Sequence, residues 1–345
     1  MVLLPFAFRL LTLKMIFHTI DAHTGGEPLR LIIDGWPEPQ GKTILEKRDY
    51  ARRKQDHLRR VLMFEPRGHA DMYGALLTKP ERADSDTGVL FMHNEGYSLM
   101  CGHGIIALTK IICERSGPWS AVHRPRSADG SQVVVFDAPA GQIKAAYRDG
   151  LVSFINVPSF VLAAGVPVTI GARTMRVDVA FGGAFYAIVD AEAAGLAVVP
   201  EKLTELRAMG DAISRAVEQL VTVVHPTESG LNSVYGTIFT GPPDADGADL
   251  KNVTIFADRE VDRSPCGTGT CAVLAVLDAM GLADPSRPFI HESIVGSTFS
   301  ARVSSRTTVG DFAAIIPELT GTASITGDHT FIIEKNDLFP KGFRL

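Results

Sequence analysis

The chain of 345 residues has few cysteines, no long apolar run and no large excess of charge of either sign. Its four cysteines are too few for the disulfide framework of a small secreted protein, so we expect reduced thiols. The 34 Lys and Arg residues against 39 Asp and Glu give a net charge of -5, which argues against a nucleic-acid-binding or polybasic membrane-surface protein. No apolar run approaches the roughly 18 residues of a membrane span.

The length and apolar content suffice for about two domains with a sizeable core. Residues 1–14 are apolar, but they lack the basic start and the small-residue cleavage site of a signal peptide. Met15 directly precedes a strand-like run, so we interpret 1–14 as a flexible extension or an overlong start. Without a targeting segment, we expect a cytoplasmic protein.

Short runs of β-branched and aromatic residues, separated by Gly, Pro, Asp and Asn, dominate the sequence and predict strands. These runs cover 29–33, 89–92, 133–136, 151–155, 176–180, 185–189, 252–256, 312–316 and 330–334. Helical segments are fewer, and they are predicted over 45–64, 104–116, 200–221 and 270–280. The mixture indicates an α+β fold.

One short segment occurs twice in the chain. The pattern Cys-Gly-x-Gly-x-x-Ala begins at Cys101 and again at Cys266, 165 residues later, and each copy opens an apolar helix. A weaker similarity lies upstream of each copy. Gly25-Gly26 and Gly182-Gly183 each precede a predicted strand, and the two pairs are 157 residues apart. We therefore predict two similar halves after the extension at 1–14: residues 15–179 carry Cys101, and residues 180–345 carry Cys266.

Cys101 and Cys266 are the candidate catalytic residues. A cysteine at a helix N-terminus faces backbone N–H groups and the positive end of the helix dipole, which stabilise a thiolate, so we expect a lowered pKa for the first thiol. The glycines that follow expose amides to an anion. Two such turns facing each other would place a base on one face of a small substrate and an acid on the other. Packing is the alternative role, and it is favoured for Cys113 and Cys271.

Metal and nucleotide binding find less support. The ten histidines show no metal-binding spacing with each other or with the cysteines, so no metal is expected. The glycine-rich turns at Cys101 and Cys266 match the dinucleotide-binding fingerprint only weakly. The strands around these turns do not alternate with helices, as the dinucleotide-binding fold requires. We therefore expect no nucleotide cofactor.

Three motifs make the sequence resemble the proline racemase superfamily, and specifically its hydroxyproline enzymes. They are Asp-Ala-His-Thr-Gly-Gly-Glu-Pro at 21–28, Met-Cys-Gly-His-Gly at 100–104 and Asp-Arg-Ser-Pro-Cys-Gly-Thr-Gly at 262–269. The resemblance implies two pseudo-symmetric α/β halves of the diaminopimelate-epimerase and proline-racemase type, an active site between them and no cofactor. It also implies that Cys101 and Cys266 are the acid–base pair.

Further site residues follow from the resemblance alone. The residues expected to hold the substrate carboxylate and ring amine are Gly102, His103, Asp262, Gly267 and Thr268. His69, Asp71 and His23 are expected to shape the pocket, with a structural role as the alternative, and Tyr73 is expected in the core. The implied partner is a small molecule, hydroxyproline. The sequence leaves the oligomeric state open, with a homodimer as one option.

The segments at 65–74 and 182–187 resemble the branch of the superfamily that dehydrates trans-3-hydroxy-L-proline to Δ1-pyrroline-2-carboxylate. Two cysteines, however, are the pattern of enzymes that racemise or epimerise, because many dehydratases replace one of them. The resemblance therefore implies a dehydratase with some 4-hydroxyproline 2-epimerase activity. The alternatives are a 4-hydroxyproline epimerase, a proline racemase and a non-catalytic binder that keeps the fold.

Overall fold

A computed structural model describes residues 15–117 and 129–345 of the chain, so the extension predicted at 1–14 lies outside the described residues. The strands are β1 (Met15–Thr24), β2 (Glu27–Asp34), β3 (Tyr73–Thr78), β4 (Thr87–His93), β5 (Gln132–Ala138), β6 (Gly141–Arg148), β7 (Leu151–Ile155), β8 (Ser159–Ile170), β9 (Arg173–Phe181), β10 (Phe185–Asp190), β11 (Val234–Gly241), β12 (Leu250–Phe256), β13 (Glu260–Asp262), β14 (Phe289–Ser293), β15 (Thr298–Val309) and β16 (Phe312–Ile333). The α-helices are α1 (Ile44–Tyr50), α2 (Asp56–Met63), α3 (Gly102–Glu114), α4 (Leu203–Leu220) and α5 (Gly267–Ala279). A π-helical turn, Ala51–Gln55, joins α1 to α2, and a 3-10 turn, Pro200–Lys202, precedes α4.

The hydrogen-bonded strands form two closed rings that share one strand. Strands β1 to β7 pair in order, and β16 closes this first ring by pairing with both β7 and β1. The second ring runs β16, β15, β14, β12, β11, β10, β9 and β8, and β8 pairs back to β16. The short strand β13 lies off the ring and pairs with β12. Each half of the protein is thus a closed sheet, and β16 belongs to both.

One helix packs inside each ring. Helix α3 packs against β1, β2, β6, β7 and β16, whereas α5 packs against β8, β9, β10, β15 and β16. Most residues of both helices are buried, which agrees with their apolar side chains on all sides. Both helices begin directly after a repeated cysteine, as the internal repeat predicts. No helix in the described part of the chain is long and apolar enough to cross a membrane.

Strand β16 is one strand of 22 residues, whereas the sequence predicts separate strands at 312–316 and 330–334. The residues between the two predicted strands are rich in Thr, Gly and Ser, which are typical of turns. The small residue Gly321 has a packing reason, since a Cβ there would lie 2.9 Å from side-chain atoms of Ile106 and Phe299. Close packing and solvent exposure, and not a turn, therefore explain the composition of this stretch.

The chain passes from one ring to the other earlier than the boundary predicted at 179–180. Strands β8 and β9 already belong to the second ring, and the predicted boundary falls inside β9. The end of β16 then returns to the first ring, where Ile333 pairs with Met15. The two halves therefore exchange strands. An apolar pattern cannot reveal this exchange, because strands of either ring carry the same pattern.

The N-termini of α3 and α5 touch through two glycines. A Cβ built on Gly102 would lie 2.5 Å from Cα of Gly267, and a Cβ built on Gly267 would lie 2.5 Å from Cα of Gly102. Only a residue without a Cβ permits so close an approach of two backbones. Because Cys101 and Cys266 immediately precede these glycines, the contact brings the two cysteines to the same junction.

Replacing either glycine tests this contact. Gly102→Ala and Gly267→Ala are each expected to lower the stability by about 1–3 kcal/mol, because the added methyl group forces the two helix N-termini apart. Thermal denaturation measures the loss as a lower melting temperature. The matched control is Gly230→Ala, whose added Cβ would meet nothing within 4 Å. Equal melting temperatures for Gly102→Ala and Gly230→Ala would contradict the contact.

Candidate active site

A small cavity of about 20 Å³ lies where the N-termini of α3 and α5 meet. Its lining residues are Tyr73, Met100, Cys101, Gly102, His103, Tyr186, Tyr235, Phe256, Asp262, Cys266, Gly267 and Thr268. The structure thus brings together both candidate cysteines and all five residues expected to bind substrate. A larger cavity of about 570 Å³ lies elsewhere in the second half, between Asp249, Leu282 and Arg306, and it contains none of the predicted site residues.

Cys101 is the N-cap residue of α3. The Gly104 N–H donates a hydrogen bond to Cys101 Sγ at 3.2 Å, and a ring nitrogen of His103 lies 3.3 Å from the same sulfur. Burial nevertheless raises the pKa of Cys101 well above its ordinary value, and the Gly104 hydrogen bond opposes that rise only in part. The expectation of a lowered pKa is therefore wrong for this buried cavity: the helix N-terminus acts in the expected direction, but desolvation outweighs it.

Cys266 is the matching N-cap residue of α5, and its backbone is strained. Its φ of 62° and ψ of 106° are unfavourable for a side chain with a Cβ. The Cys266 N–H donates to Ser264 Oγ at 3.1 Å, which helps to hold this conformation. Burial, followed by the negative charge of Asp262, raises the pKa of Cys266 to about 12. Both cavity thiols are therefore protonated at neutral pH in this state of the protein.

Between the thiols, the two helix N-termini present backbone amides to the cavity. The first N–H groups of an α-helix have no intrahelical partner. In α3 these groups belong to Gly102 and His103, and in α5 they belong to Gly267 and Thr268. All four residues line the cavity. Two converging helix N-termini form a site for an anion the size of a carboxylate.

Two titratable side chains complete the polar wall. Burial, with the positive charge of Arg263, lowers the pKa of His103 to about 3, so its ring is neutral at pH 7. Burial raises the pKa of Asp262 to about 6, against hydrogen bonds from the backbone N–H and the hydroxyl of Ser264 at 2.9 and 2.7 Å. Asp262 thus caps the Ser264 turn and also lines the cavity.

The apolar and phenolic part of the wall was missed by the sequence analysis. Tyr186, Tyr235 and Phe256 come from the strands β10, β11 and β12 and lie outside the motifs around the cysteines, whereas Met100 directly precedes Cys101 in the motif at 100–104. Tyr73 is buried, as expected of a core residue, yet it also lines the cavity and its hydroxyl bonds to Ser98. No local signal in the sequence distinguishes these side chains from ordinary core residues.

Three residues expected to shape the pocket lie outside its lining. His69 is exposed, and its Nδ1 lies 2.7 Å from the carbonyl oxygen of Ala70. His23 accepts a hydrogen bond from the Gly26 N–H at 3.3 Å in the turn between β1 and β2. Asp71 is buried in contact with the other half of the protein. The structure thus favours the structural alternative for all three.

Asp71 is a bridge between the two halves. Its carboxylate accepts hydrogen bonds from the Arg207 guanidinium at 3.2 and 2.5 Å and from the Val261 N–H at 3.2 Å. A second bridge joins Glu27 to Arg263, whose backbone N–H and guanidinium donate to the Glu27 carboxylate at 2.8 and 3.1 Å. These contacts hold the loop around Asp262 against the first half of the protein.

Comparisons with known proteins decide the family. A model of the family described as proline racemase matches residues 19–344. The chain belongs to the proline racemase family. The predicted family is thereby confirmed, and the predicted α+β fold of two halves is confirmed by the similarity to solved structures of a hydroxyproline epimerase and a probable proline racemase.

Several relatives of this protein are named after an activity. A Bacillus cereus protein named trans-3-hydroxy-L-proline dehydratase is 46% identical over 335 residues, which cover 96% of this chain and 98% of the relative. A Xenopus tropicalis protein named trans-L-3-hydroxyproline dehydratase is 42% identical and covers 94% of each chain. The crystal structure of a hydroxyproline epimerase from Agrobacterium vitis, with trans-4-hydroxy-L-proline bound, is similar with a TM-score of 0.86 at 29% identity, covering 96% of this chain and 95% of that one.

Within residues 15–117 and 129–345, no group of three or more His, Cys, Asp or Glu side chains is placed to hold a metal ion. All four cysteines lie within these ranges, and none forms a disulfide. Cys271 is buried, in agreement with a packing role, whereas Cys113 is half-buried at the end of α3.

The strain at Cys266 leads to a prediction about stability. Glycine adopts a positive φ without steric cost, so Cys266→Gly should be more stable than Cys266→Ala by about 1 kcal/mol. Cys101 has a φ of -146°, where glycine brings no such relief, and there the order should reverse. Thermal denaturation of the four variants measures both differences. The same order at both positions would contradict strain at Cys266.

Proposed function

We propose that this protein is a hydro-lyase that converts trans-3-hydroxy-L-proline into Δ1-pyrroline-2-carboxylate and water. The observation that carries the proposal is the pair of thiols at facing helix N-termini in one cavity. The choice among hydroxyproline reactions is supported by relatives that bear the dehydratase name at 42–46% identity over nearly the full length of the chain. Side chains and backbone groups of this chain suffice for substrate binding, proton abstraction and loss of water.

Substrate binding uses the positive ends of the two helices and the negative charge of Asp262. The carboxylate of the amino acid fits the amides of the α3 and α5 N-termini, and the protonated ring amine fits Asp262. Because the pKa of Asp262 is about 6, this group is mostly a carboxylate at pH 7. The cavity has room for about one water molecule, so the two halves must separate to admit the substrate.

Bound substrate changes the acidity of the thiols. The negative charge of Asp262 contributes to the raised pKa of both Cys101 and Cys266. A substrate ammonium group beside Asp262 offsets that charge and so lowers both pKa values. Cys101 as a thiolate then removes the α-proton, and the negative charge that spreads onto the substrate carboxylate is stabilised by the helix amides.

Stereochemistry separates the roles of the two cysteines. In trans-3-hydroxy-L-proline the hydroxyl group is trans to the carboxylate, so it lies on the same ring face as the α-hydrogen. Elimination of water can therefore proceed on the Cys101 face alone. Inversion at Cα needs an acid on the opposite face, a role that we assign to Cys266.

The second candidate function is 4-hydroxyproline 2-epimerase. It is favoured by the presence of Cys at both positions and by the structural similarity to the hydroxyproline epimerase. We propose it as a side activity of the same site. A proline racemase and a non-catalytic binder are the remaining alternatives, and an intact pair of cavity thiols makes the binder the weakest of them.

Proton NMR in D2O with equal amounts of trans-3- and trans-4-hydroxy-L-proline tests the proposal. We expect the 3-hydroxy isomer to disappear first as Δ1-pyrroline-2-carboxylate appears, with slower exchange and inversion of the 4-hydroxy isomer. Exchange and inversion of the 4-hydroxy isomer alone would identify an epimerase instead. A binder would leave the α-hydrogens of both isomers in place.

Variants in the same assay separate the two activities. Cys266→Ser should suppress epimerisation at least tenfold more than dehydration, because only inversion needs the opposite face. Cys101→Ser should abolish both reactions. Cys113→Ser, at the far end of α3, is the matched control and should leave both reactions unchanged. Equal loss of both activities in Cys266→Ser would contradict the division of labour.

A further inference from the structure

Three hydroxyl groups form a hydrogen-bonded chain at one side of the cavity. The Tyr73 hydroxyl bonds to Ser98 Oγ, and Ser98 Oγ lies 3.0 Å from the Tyr235 hydroxyl. Both tyrosines line the cavity, whereas Ser98 is buried behind it and is absent from the lining. We name this set, Tyr73, Ser98 and Tyr235, the hydroxyl chain.

The hydroxyl chain lies on the Cys101 side of the cavity. The Tyr73 hydroxyl interacts with the Cys101 sulfur, and the Tyr73 ring packs edge-on against His103 with centroids 4.7 Å apart. The Cys266 side has a different partner, since the Tyr186 hydroxyl lies 3.7 Å from Cys266 Sγ. The Tyr186 hydroxyl in turn lies 2.6 Å from Thr268 Oγ1. The hydroxyl chain therefore belongs to the Cys101 side, and a separate pair of hydroxyl groups belongs to the Cys266 side.

The aromatic rings of the chain are held in place by packing. Tyr73 stacks on His93 with centroids 5.8 Å apart, and Tyr235 stacks on Phe256 at 5.3 Å. Burial raises the pKa of both tyrosines, so their hydroxyls stay protonated and can donate. Fixed, protonated hydroxyl groups beside a base are suited to proton transfer.

We propose that the hydroxyl chain delivers the proton that the 3-hydroxyl group of the substrate needs in order to leave as water. This inference rests on the proposed dehydratase function. It assigns Tyr73 and Tyr235 as cavity-lining proton donors and Ser98 as the residue that connects them. The leaving hydroxyl group lies on the same ring face as the α-hydrogen. The hydroxyl chain lies on the side of the cavity that holds Cys101, the thiol that removes this hydrogen.

Every proton that moves in this reaction comes from the substrate, Cys101 or the hydroxyl chain. Cys101 thiolate takes the α-proton, and the electron pair of the C–H bond forms the new double bond between Cα and C3. The C3–O bond breaks with its electron pair on oxygen, which takes a proton from a tyrosine hydroxyl and leaves as water. The tyrosine regains a proton from the Cys101 thiol through the hydroxyl chain. The enamine product then rearranges to Δ1-pyrroline-2-carboxylate, and the thiolate is restored.

Ser98→Ala tests the proposal, because it interrupts the hydroxyl chain without altering the cavity wall. Wild type and variant are compared with trans-3-hydroxy-L-proline in D2O, and both water loss and deuterium at Cα of the remaining substrate are measured by NMR. We expect water loss to fall at least about 100-fold, the usual scale of a lost general acid, while deuterium accumulates at Cα. Ser159→Ala, a buried serine outside the cavity lining, is the control and should match wild type.

The outcomes separate the proposal from the proposed function. Normal water loss in Ser98→Ala, or equal loss of elimination and exchange, would overturn the role of the hydroxyl chain while dehydration by the wild type stands. Absence of water loss in the wild type would overturn the dehydratase function, and the inference with it. Should Ser98→Ala fail to fold, Tyr235→Phe removes a hydroxyl but keeps the ring, and the same separation of exchange from elimination is expected.

Discussion

The contact between Gly102 and Gly267 is the constraint on which the site depends. It lets the N-termini of two buried helices meet at a distance that no side chain would allow. Each helix contributes a cysteine cap and a pair of unused amides, so the contact alone assembles two thiols around one anion site. The two strand rings, joined by β16, hold the helices in this position, so the same packing that forms the fold also assembles the site.

Burial is the second determinant, and it acts against the helix dipoles. The amides and dipoles at the helix ends favour a thiolate, but burial and the charge of Asp262 favour the neutral thiol. In the proposed mechanism the substrate resolves this conflict, because it brings a cation for Asp262 and an anion for the amides. An enzyme of this design keeps its cavity thiols mostly protonated until the correct charges arrive. The bridges from Asp71 and Glu27 join the two halves beside this cavity.

The sequence predicted the polar half of the site and missed the aromatic half for a physical reason. Eight lining residues lie in two short motifs around Cys101 and Cys266, where chain neighbours are also neighbours in space. Tyr186 and Tyr235 reach the cavity from separate strands, and only the ring topology brings them there. The strand exchange through β16 escaped prediction similarly, since its composition resembles a turn. The pKa of Cys101 could not be predicted because it depends on burial, a property of the assembled fold.

The central claim is that both thiols face one bound substrate, and differential alkylation tests it most directly. The protein is treated with iodoacetamide with and without pyrrole-2-carboxylate, a planar analogue of the deprotonated substrate, and modified cysteines are identified by mass spectrometry. The account predicts that one bound inhibitor protects Cys101 and Cys266 together, while labelling of Cys113 is unchanged. Protection of only one cavity thiol, or full activity after both are alkylated, would contradict the account.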